Sequence, residues 1–174
     1  LFFEPSTRTR VSFELAATRL GADVVNLDLH SSSRVKGETV LDTIYTLQAM
    51  MVDVFVMRDS EPGLPAFVAA HVQPHVSVLN AGEAHVSHPT QGLLDVLTIR
   101  QRKGEVKNLC VAIVGDISHS RVARSTGTAL QTLGVGELRF VSPASLAPEP
   151  EEFPGARRYD SLEELLADFA IEPP

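Results

Sequence analysis

Short apolar segments alternate with segments of helical periodicity along the chain, and this alternation limits its fold more than any other feature. In residues 7–20, for example, apolar side chains recur at the spacing of one helix face. The predicted helices are residues 7–20, 38–51, 64–71, 89–102, 119–133 and 161–169, and the predicted strands are residues 1–3, 23–29, 52–57, 75–79, 109–114 and 137–141. The pattern predicts an α/β fold with two doubly wound parallel-sheet domains built from βαβ units.

A domain boundary is predicted after the long helix of residues 89–102, where Lys103, Gly104 and Glu105 interrupt the pattern. Residues 1–104 then form a first domain and residues 105–174 a second. The second domain has too few strands to complete a sheet, and the chain opens on an apolar strand end. We therefore expect a partial chain that lacks part of the first domain and much of the second.

The composition argues against several classes of protein. An apolar fraction of 44% and a charged fraction of 21% are typical of globular domains. The formal net charge of −7 argues against nucleic acid or a membrane surface as partner. Apolar runs fall short of the ~20 residues of a membrane helix, and no signal-peptide pattern is present. The single cysteine, Cys110, cannot form an internal disulfide, so we expect a cytoplasmic protein.

The polar residues that follow predicted strands are candidate site residues, since parallel α/β sheets bind ligands at the carboxyl ends of their strands. The first group is Ser6-Thr7-Arg8-Thr9-Arg10, where Ser6 is the predicted N-cap of the following helix. Backbone N–H groups, hydroxyls and arginines at a helix start favour an anion, most naturally phosphate. A capped helix with surface arginines is the alternative, but capping alone requires fewer such residues.

Two further groups of candidates follow strands. Ser32, Arg34 and Lys36 can reach an anion from the polar loop of residues 30–39, although a solvated loop is the simpler interpretation. Arg58 directly follows the predicted strand of residues 52–57. Its side chain can enter a ligand crevice or form a surface ion pair, and the sequence does not distinguish these.

His88 and Gln91 lie one turn apart at the start of a predicted helix. An imidazole and a carboxamide suit an uncharged polar group such as a carbonyl or carbamoyl, and a structural histidine is the alternative. His85 lies nearby, but no further cysteine or carboxylate completes a zinc site.

Arg121 and Arg124 follow the strand of residues 109–114 and either hold a carboxylate or belong to an ordinary helix surface. Of a GxGxxG motif only Gly115 is present, which argues against a dinucleotide cofactor and a redox protein. The sequence offers no Ser–His–acid triad, carboxylate pair or nucleophilic cysteine. The candidates together indicate catalysis by positioning and charge stabilisation around a phosphorylated substrate.

These motifs resemble those of the carbamoyltransferase family. Residues 6–10 resemble its carbamoyl-phosphate signature STRTR, and residues 88–91 its second signature HPTQ. Residues 36–39 (KGET) and 115–122 (GD followed by SRV) resemble the aspartate-specific members rather than the ornithine-specific ones. The resemblance extends from Leu1 to roughly Leu166.

The resemblance implies transfer of the carbamoyl group from carbamoyl phosphate to L-aspartate, giving N-carbamoyl-L-aspartate and phosphate in de novo pyrimidine biosynthesis. Residues 1–104 are then the carbamoyl-phosphate-binding domain, and residues 105–174 begin the aspartate-binding domain. It implies a homotrimer with composite active sites and no metal or organic cofactor. Attachment of regulatory or dihydroorotase-like subunits and regulation by nucleotides stay open.

The resemblance also assigns roles to individual residues. The phosphate is bound by Ser6, Thr7, Arg8 and Thr9, joined by Arg58, His88 and Gln91. The carbamoyl carbonyl is polarised by Thr9, Arg58 and His88, which with Arg8 are the catalytic residues. Arg121 holds an aspartate carboxylate, and Ser32 and Lys36 enter the site from the adjacent subunit.

The sequence departs from the family pattern at several places. Residues 82–84 read Gly-Glu-Ala where a Gly-Asp-Gly-like turn is common, and Val35 replaces a second basic residue. Residues 170–174 do not continue like the family, and its later aspartate-binding segment is absent. A carbamoyltransferase for another amine, such as ornithine, and a non-catalytic homologous subunit are the alternatives.

Overall fold

The computed structural model describes residue 1, residues 6–27 and residues 39–171, with the side chains of residues 170 and 171 excepted. By their contacts these residues form two units, Leu1–Ala84 and His85–Pro174. Each unit is α/β and pairs its strands in parallel, which confirms the fold class that the alternating pattern predicts. The candidates Ser32, Arg34 and Lys36 lie outside the described residues.

The first unit contains three helices and two strands in its described part. In chain order they are α1 (Thr7–Arg19), α2 (Val40–Ala49), β1 (Val54–Asp59), α3 (Leu64–Ala69) and β2 (Ser77–Glu83). β1 and β2 pair in parallel, with Val54 opposite Ser77. The backbone nitrogen of Leu1, an ammonium group here, donates to Val56 O at 2.7 Å, and the Arg58 amide donates to Leu1 O at 3.1 Å. Leu1 therefore lies beside β1 in the parallel arrangement.

The second unit is a three-stranded parallel sheet with helices. Its elements are α4 (Pro89–Lys103), β3 (Cys110–Val114), α5 (Arg121–Thr132), β4 (Glu137–Val141), β5 (Arg157–Tyr159) and α6 (Leu162–Ile171). The strand order is β3-β4-β5. Short 3₁₀ turns lie at Val106–Asn108 and Ala144–Leu146. Gly104 ends α4 with a positive φ of 86°, a conformation that glycine adopts without steric cost.

Each unit has its own core of buried apolar side chains. In the first unit they are Ile44, Phe55, Met57, Val68 and Val76. In the second unit they include Val96, Ile117, Leu130, Phe140 and Phe153. α4 and α5 approach so closely that a Cβ on Gly92 would lie 2.6 Å from the carbonyl oxygen of Ser125. Only glycine fits at this contact.

The predicted strand of residues 23–29 is wrong over its described part. Residues 23–27 form no strand, and Val25 is 74% exposed. The β-branched valines favour a strand only where a partner strand pairs with them, and the described residues supply none here. β5 is a strand that the sequence did not predict. Its two arginines do not favour a strand, yet it pairs with β4.

The strands of the first unit extend further than predicted. β1 continues to Asp59 because Asp59 pairs with Glu83, so Arg58 lies inside the strand rather than after it. β2 likewise includes Gly82 and Glu83, which were expected in a loop. Within the described ranges, no helix is both long and apolar enough to cross a membrane. The domain boundary after residue 104 stays a prediction.

Candidate active site

The start of α1 carries the first candidate group, and it is built differently from an ordinary capped helix. Ser6 occupies the N-cap position with extended φ and ψ of −157° and 90°. Its hydroxyl donates to the Thr9 hydroxyl at 2.9 Å instead of accepting a backbone N–H. The predicted cap position is therefore confirmed, but the predicted side-chain cap is wrong. The Ser6 rotamer directs the hydroxyl to the Thr9 side chain rather than to a first-turn N–H group.

This helix start suits an anion. No side-chain cap among the described residues occupies the first-turn N–H groups, and the first turn contains no acidic residue. Thr7 and Arg8 are exposed, and Arg10 lies one turn further. Amide dipoles, hydroxyls and guanidinium groups all favour negative charge at such a helix end.

Arg58 lies in β1 with its side chain inside the first unit. The residue is 6% exposed, and its Nη1 donates to the carbonyl oxygen of Ala81 in β2 at 3.1 Å. This burial excludes the surface ion pair that the sequence left open. A buried guanidinium fixed by the backbone of a neighbouring strand is a preorganised charge, which is the arrangement that electrostatic catalysis requires.

His88 lies at the N-cap position of α4 in the second unit. It is 8% exposed, its backbone N–H donates to Ser125 Oγ at 2.8 Å, and its Nδ1 lies 3.4 Å from Thr90 Oγ1. The imidazole makes no cap hydrogen bond to the described backbone. Ser125 of α5 thus fixes the backbone at His88.

Gln91 follows on the first turn of α4 and is held by a carboxylate one turn further along. Its Nε2 donates to Asp95 Oδ1 at 2.9 Å, and Asp95 Oδ2 accepts a hydrogen bond from Thr126 Oγ1 at 2.7 Å. Asp95 and Thr126 were missed by the sequence analysis. The four-residue spacing of Gln91 and Asp95 was the available signal for the first contact.

The two arginines of α5 have different environments. Arg121 is the first residue of α5, and Ser120 caps that helix by accepting from the Ala123 N–H at 3.1 Å. Arg124 forms an ion pair with Glu152 at 2.5 Å and donates to backbone carbonyls of the same unit. The carboxylate held by Arg124 is therefore the chain's own, which leaves Arg121 as the candidate for a substrate carboxylate.

The loop between β3 and α5 is held by Asp116. Its Oδ1 accepts from the His119 amide at 3.1 Å, and His119 Nδ1 lies 2.9 Å away. Desolvation opposes ionisation, but the hydrogen bonds from His119 and Ser118 outweigh it and lower the pKa of Asp116. This loop ends directly before Arg121.

The described site candidates divide between the two units. Ser6, Thr7, Arg8, Thr9 and Arg58 belong to the first unit, and His88, Gln91 and Arg121 to the second. Across residues 1, 6–27 and 39–171, no group of three or more His, Cys, Asp or Glu residues is arranged to hold a metal ion. The described candidates are mostly cationic and hydroxyl side chains on a parallel α/β fold.

Comparison with known proteins narrows this class. The family described as aspartate/ornithine carbamoyltransferase, carbamoyl-P binding domain, matches residues 1–101. The chain therefore belongs to the aspartate/ornithine carbamoyltransferase family.

Solved structures agree with this membership. An aspartate transcarbamoylase from Trypanosoma cruzi, in complex with aspartate and phosphate, is 35% identical with a TM-score of 0.82, and the match covers 95% of this chain and 57% of that one. The same enzyme with carbamoyl phosphate and aspartate gives 35% identity and a TM-score of 0.81, with 95% and 55% covered. The catalytic subunit of the M. jannaschii enzyme gives 37% identity and a TM-score of 0.81, with 94% and 55% covered. The chain thus spans little more than half the length of these relatives.

Proposed function

We propose that the protein transfers the carbamoyl group of carbamoyl phosphate to the amino group of L-aspartate, giving N-carbamoyl-L-aspartate and phosphate for pyrimidine biosynthesis. The observation that carries this proposal is the start of α1. There the described STRTR residues form no side-chain cap, and the first turn contains no acidic residue. Family membership supports the carbamoyl transfer, and the aspartate complexes of the relatives support the acceptor. The single cysteine of the sequence supports a cytoplasmic location.

In the proposed site, the candidate residues contact different parts of the two substrates. Ser6, Thr7, Arg8 and Thr9 bind the phosphate with the N–H groups of α1. Thr9, Arg58 and His88 donate to the carbamoyl carbonyl oxygen. Gln91 contacts the same group, and Arg121 holds a carboxylate of aspartate.

The chemistry follows from these contacts. The aspartate nitrogen attacks the carbamoyl carbon, and the negative charge that develops on the carbonyl oxygen is stabilised by the cationic and hydroxyl donors. The C–O bond to phosphate then breaks, and the departing phosphate takes the proton from the nitrogen. No side chain has to act as a general base in this scheme. If a variant that replaces an uncharged side chain lost a titrating group from the pH–rate profile, that side chain would be acting as a general base. This result would contradict the scheme.

The activity is tested with the full-length protein supplied with carbamoyl phosphate and either L-aspartate or L-ornithine. We expect phosphate release and carbamoylation with aspartate alone. Turnover with ornithine alone would preserve the phosphate site and overturn the acceptor. Tight binding of carbamoyl phosphate without turnover of either amine would instead identify a non-catalytic subunit.

We further propose a homotrimer in which Ser32 and Lys36 complete the site of the adjacent subunit. The test mixes Arg8→Ala and Lys36→Ala proteins, each of which is expected to be inactive alone. Each mixed trimer then holds one complete site, about a third of the native number. The mixed oligomer is isolated through two different affinity tags. An isolated mixed trimer that stays inactive contradicts a shared site.

A further inference from the structure

The hydrogen bonds of Asp95 fix which end of the Gln91 carboxamide is available to a ligand. A carboxylate only accepts hydrogen bonds, so the Gln91 atom 2.9 Å from Asp95 Oδ1 must be the amide nitrogen. The amide oxygen is the other arm of the same planar group. Gln91 is therefore oriented with its acceptor end directed away from Asp95.

We propose that Asp95 is a positioning residue that makes the site selective for a carbamoyl group over an acyl group. This inference rests on the proposed function, in which Gln91 contacts the carbamoyl group. That group has a carbonyl oxygen that accepts and an amino group that donates. A freely rotating carboxamide can donate to the first or accept from the second. Asp95 holds the nitrogen end of the carboxamide against the protein, so the amide oxygen is the end directed away from Asp95, and Gln91 then recognises the amino group through that oxygen.

Thr126 completes the arrangement from a second helix. It is 8% exposed, and its hydroxyl donates to the remaining oxygen of Asp95 at 2.7 Å. The two oxygens of Asp95 are thus bound by different helices, which prevents the carboxylate from turning away from Gln91. The close approach at Gly92, 2.6 Å from Ser125 O for an added Cβ, keeps α4 and α5 near enough for this contact.

The test compares carbamoyl phosphate with acetyl phosphate, in which a methyl group replaces the amino group. The dissociation constants of both are measured by calorimetry on the full-length protein, and their ratio gives the selectivity. We expect the wild type to favour carbamoyl phosphate. Asp95→Ala should reduce that preference roughly ten-fold, mainly through weaker binding of carbamoyl phosphate.

Two further variants separate positioning from general loss of structure. Thr126→Val keeps the side-chain shape and should reduce the selectivity less than Asp95→Ala does. Thr98→Val is the matched control, because Thr98 is an exposed residue of α4 whose hydroxyl donates to Leu94 O of its own helix. It should leave the ratio unchanged. In the Gln91→Ala background, adding Asp95→Ala should cause no further loss of selectivity.

The outcomes distinguish the inference from the function on which it rests. A wild type that prefers carbamoyl phosphate, with an unchanged ratio in Asp95→Ala, overturns the inference and leaves the proposed function intact. Equal weakening of both ligands in Asp95→Ala also overturns it, because that result indicates a purely structural role. A wild type that binds neither ligand overturns the proposed function, and the inference fails with it.

Discussion

The starts of α1 and α2 use the same spacing of polar residues, but of the two helices α2 alone forms a capping box. In α2, the Thr39 hydroxyl accepts from the Asp42 N–H at 3.2 Å, and the Asp42 carboxylate accepts from the Thr39 N–H at 3.0 Å. In both helices the N-cap hydroxyl also donates to the side chain of the third helical residue, from Thr39 to Asp42 at 2.6 Å and from Ser6 to Thr9 at 2.9 Å, but α1 has no backbone cap bond beside it among the described residues. The third helical position is a hydroxyl in α1 and a carboxylate in α2, and the carboxylate is what accepts the N-cap N–H of α2.

The comparison contrasts a helix start that its own side chains cap with the helix start proposed as the phosphate site. Asp42 supplies α2 with both the hydrogen-bond acceptor and the negative charge that a helix N-terminus favours. The first turn of α1 has neither, and it carries Arg8 instead. In the proposed function, the phosphate of the substrate supplies at the start of α1 the negative charge that Asp42 supplies at the start of α2.

The largest effect is expected from making α1 resemble α2. Thr9→Asp supplies a carboxylate that can close a capping box with Ser6 and repel a bound phosphate. We expect binding of carbamoyl phosphate to become undetectable by calorimetry, while the ligand-free protein gains about 0.5–1 kcal/mol in free energy of unfolding. Thr18→Asp adds the same charge at the far end of α1 and should leave binding unchanged. If Thr9→Asp still bound carbamoyl phosphate, the start of α1 would not be part of the phosphate site.

An intermediate effect is expected from deleting the N-cap hydroxyl of each helix in turn. Thr39→Ala should lower the free energy of unfolding by about 1 kcal/mol, because it breaks the cap of α2. Ser6→Ala should weaken carbamoyl-phosphate binding by about 0.5–1.5 kcal/mol while changing the stability of the free protein little. Urea unfolding and calorimetry measure the two quantities. Equal losses of stability in both variants would show that Ser6 is an ordinary cap.

The smallest effect concerns pH. Hydrogen bonds from the Thr39 side chain and backbone lower the pKa of Asp42 from its ordinary value of 3.8. A lowered pKa means that the ionised group stabilises the folded protein above pH 3.8 and that this contribution is lost as the pH falls through the folded-state pKa.

Asp42→Asn is the variant that isolates this contribution. It should be less stable than the wild type in urea at about pH 6, and the difference should shrink progressively as the pH falls below 3.8. Ser6 and Thr9 do not titrate in this range, so the start of α1 has no counterpart. A stability difference that is constant with pH would contradict the role of the Asp42 charge.

The fold was predictable where local sequence determines the element. β4 has the predicted bounds and α4 is within one residue, because apolar periodicity and the flanking Pro89 and Gly104 define them. β5 was not predictable, since its arginines are accommodated by residues distant in sequence. Arg157 pairs with Glu137 at 2.9 Å and with Asp168 at 3.1 Å.

The residue types of the candidate site were predictable, but their supporting contacts were not. The motif at the start of α1 indicated an anion site, yet the Ser6–Thr9 bond depends on side-chain rotamers that the sequence does not determine. Thr126 lies 31 residues from Asp95 along the chain, and only the packing of α4 against α5 brings them together. Arg58 required the structure as well, because its burial follows from the extension of β1 to Asp59.

The glycine at position 92 also determines how displacement passes through the second unit. With backbone in direct contact at Ser125, α4 and α5 cannot slide or rotate past each other without separating. In the proposed function, Arg121 on α5 and His88 and Gln91 on α4 therefore act from two helices whose backbones are in direct contact. Gly92→Ala would force the two helices apart, because its Cβ would lie 2.6 Å from the Ser125 carbonyl oxygen.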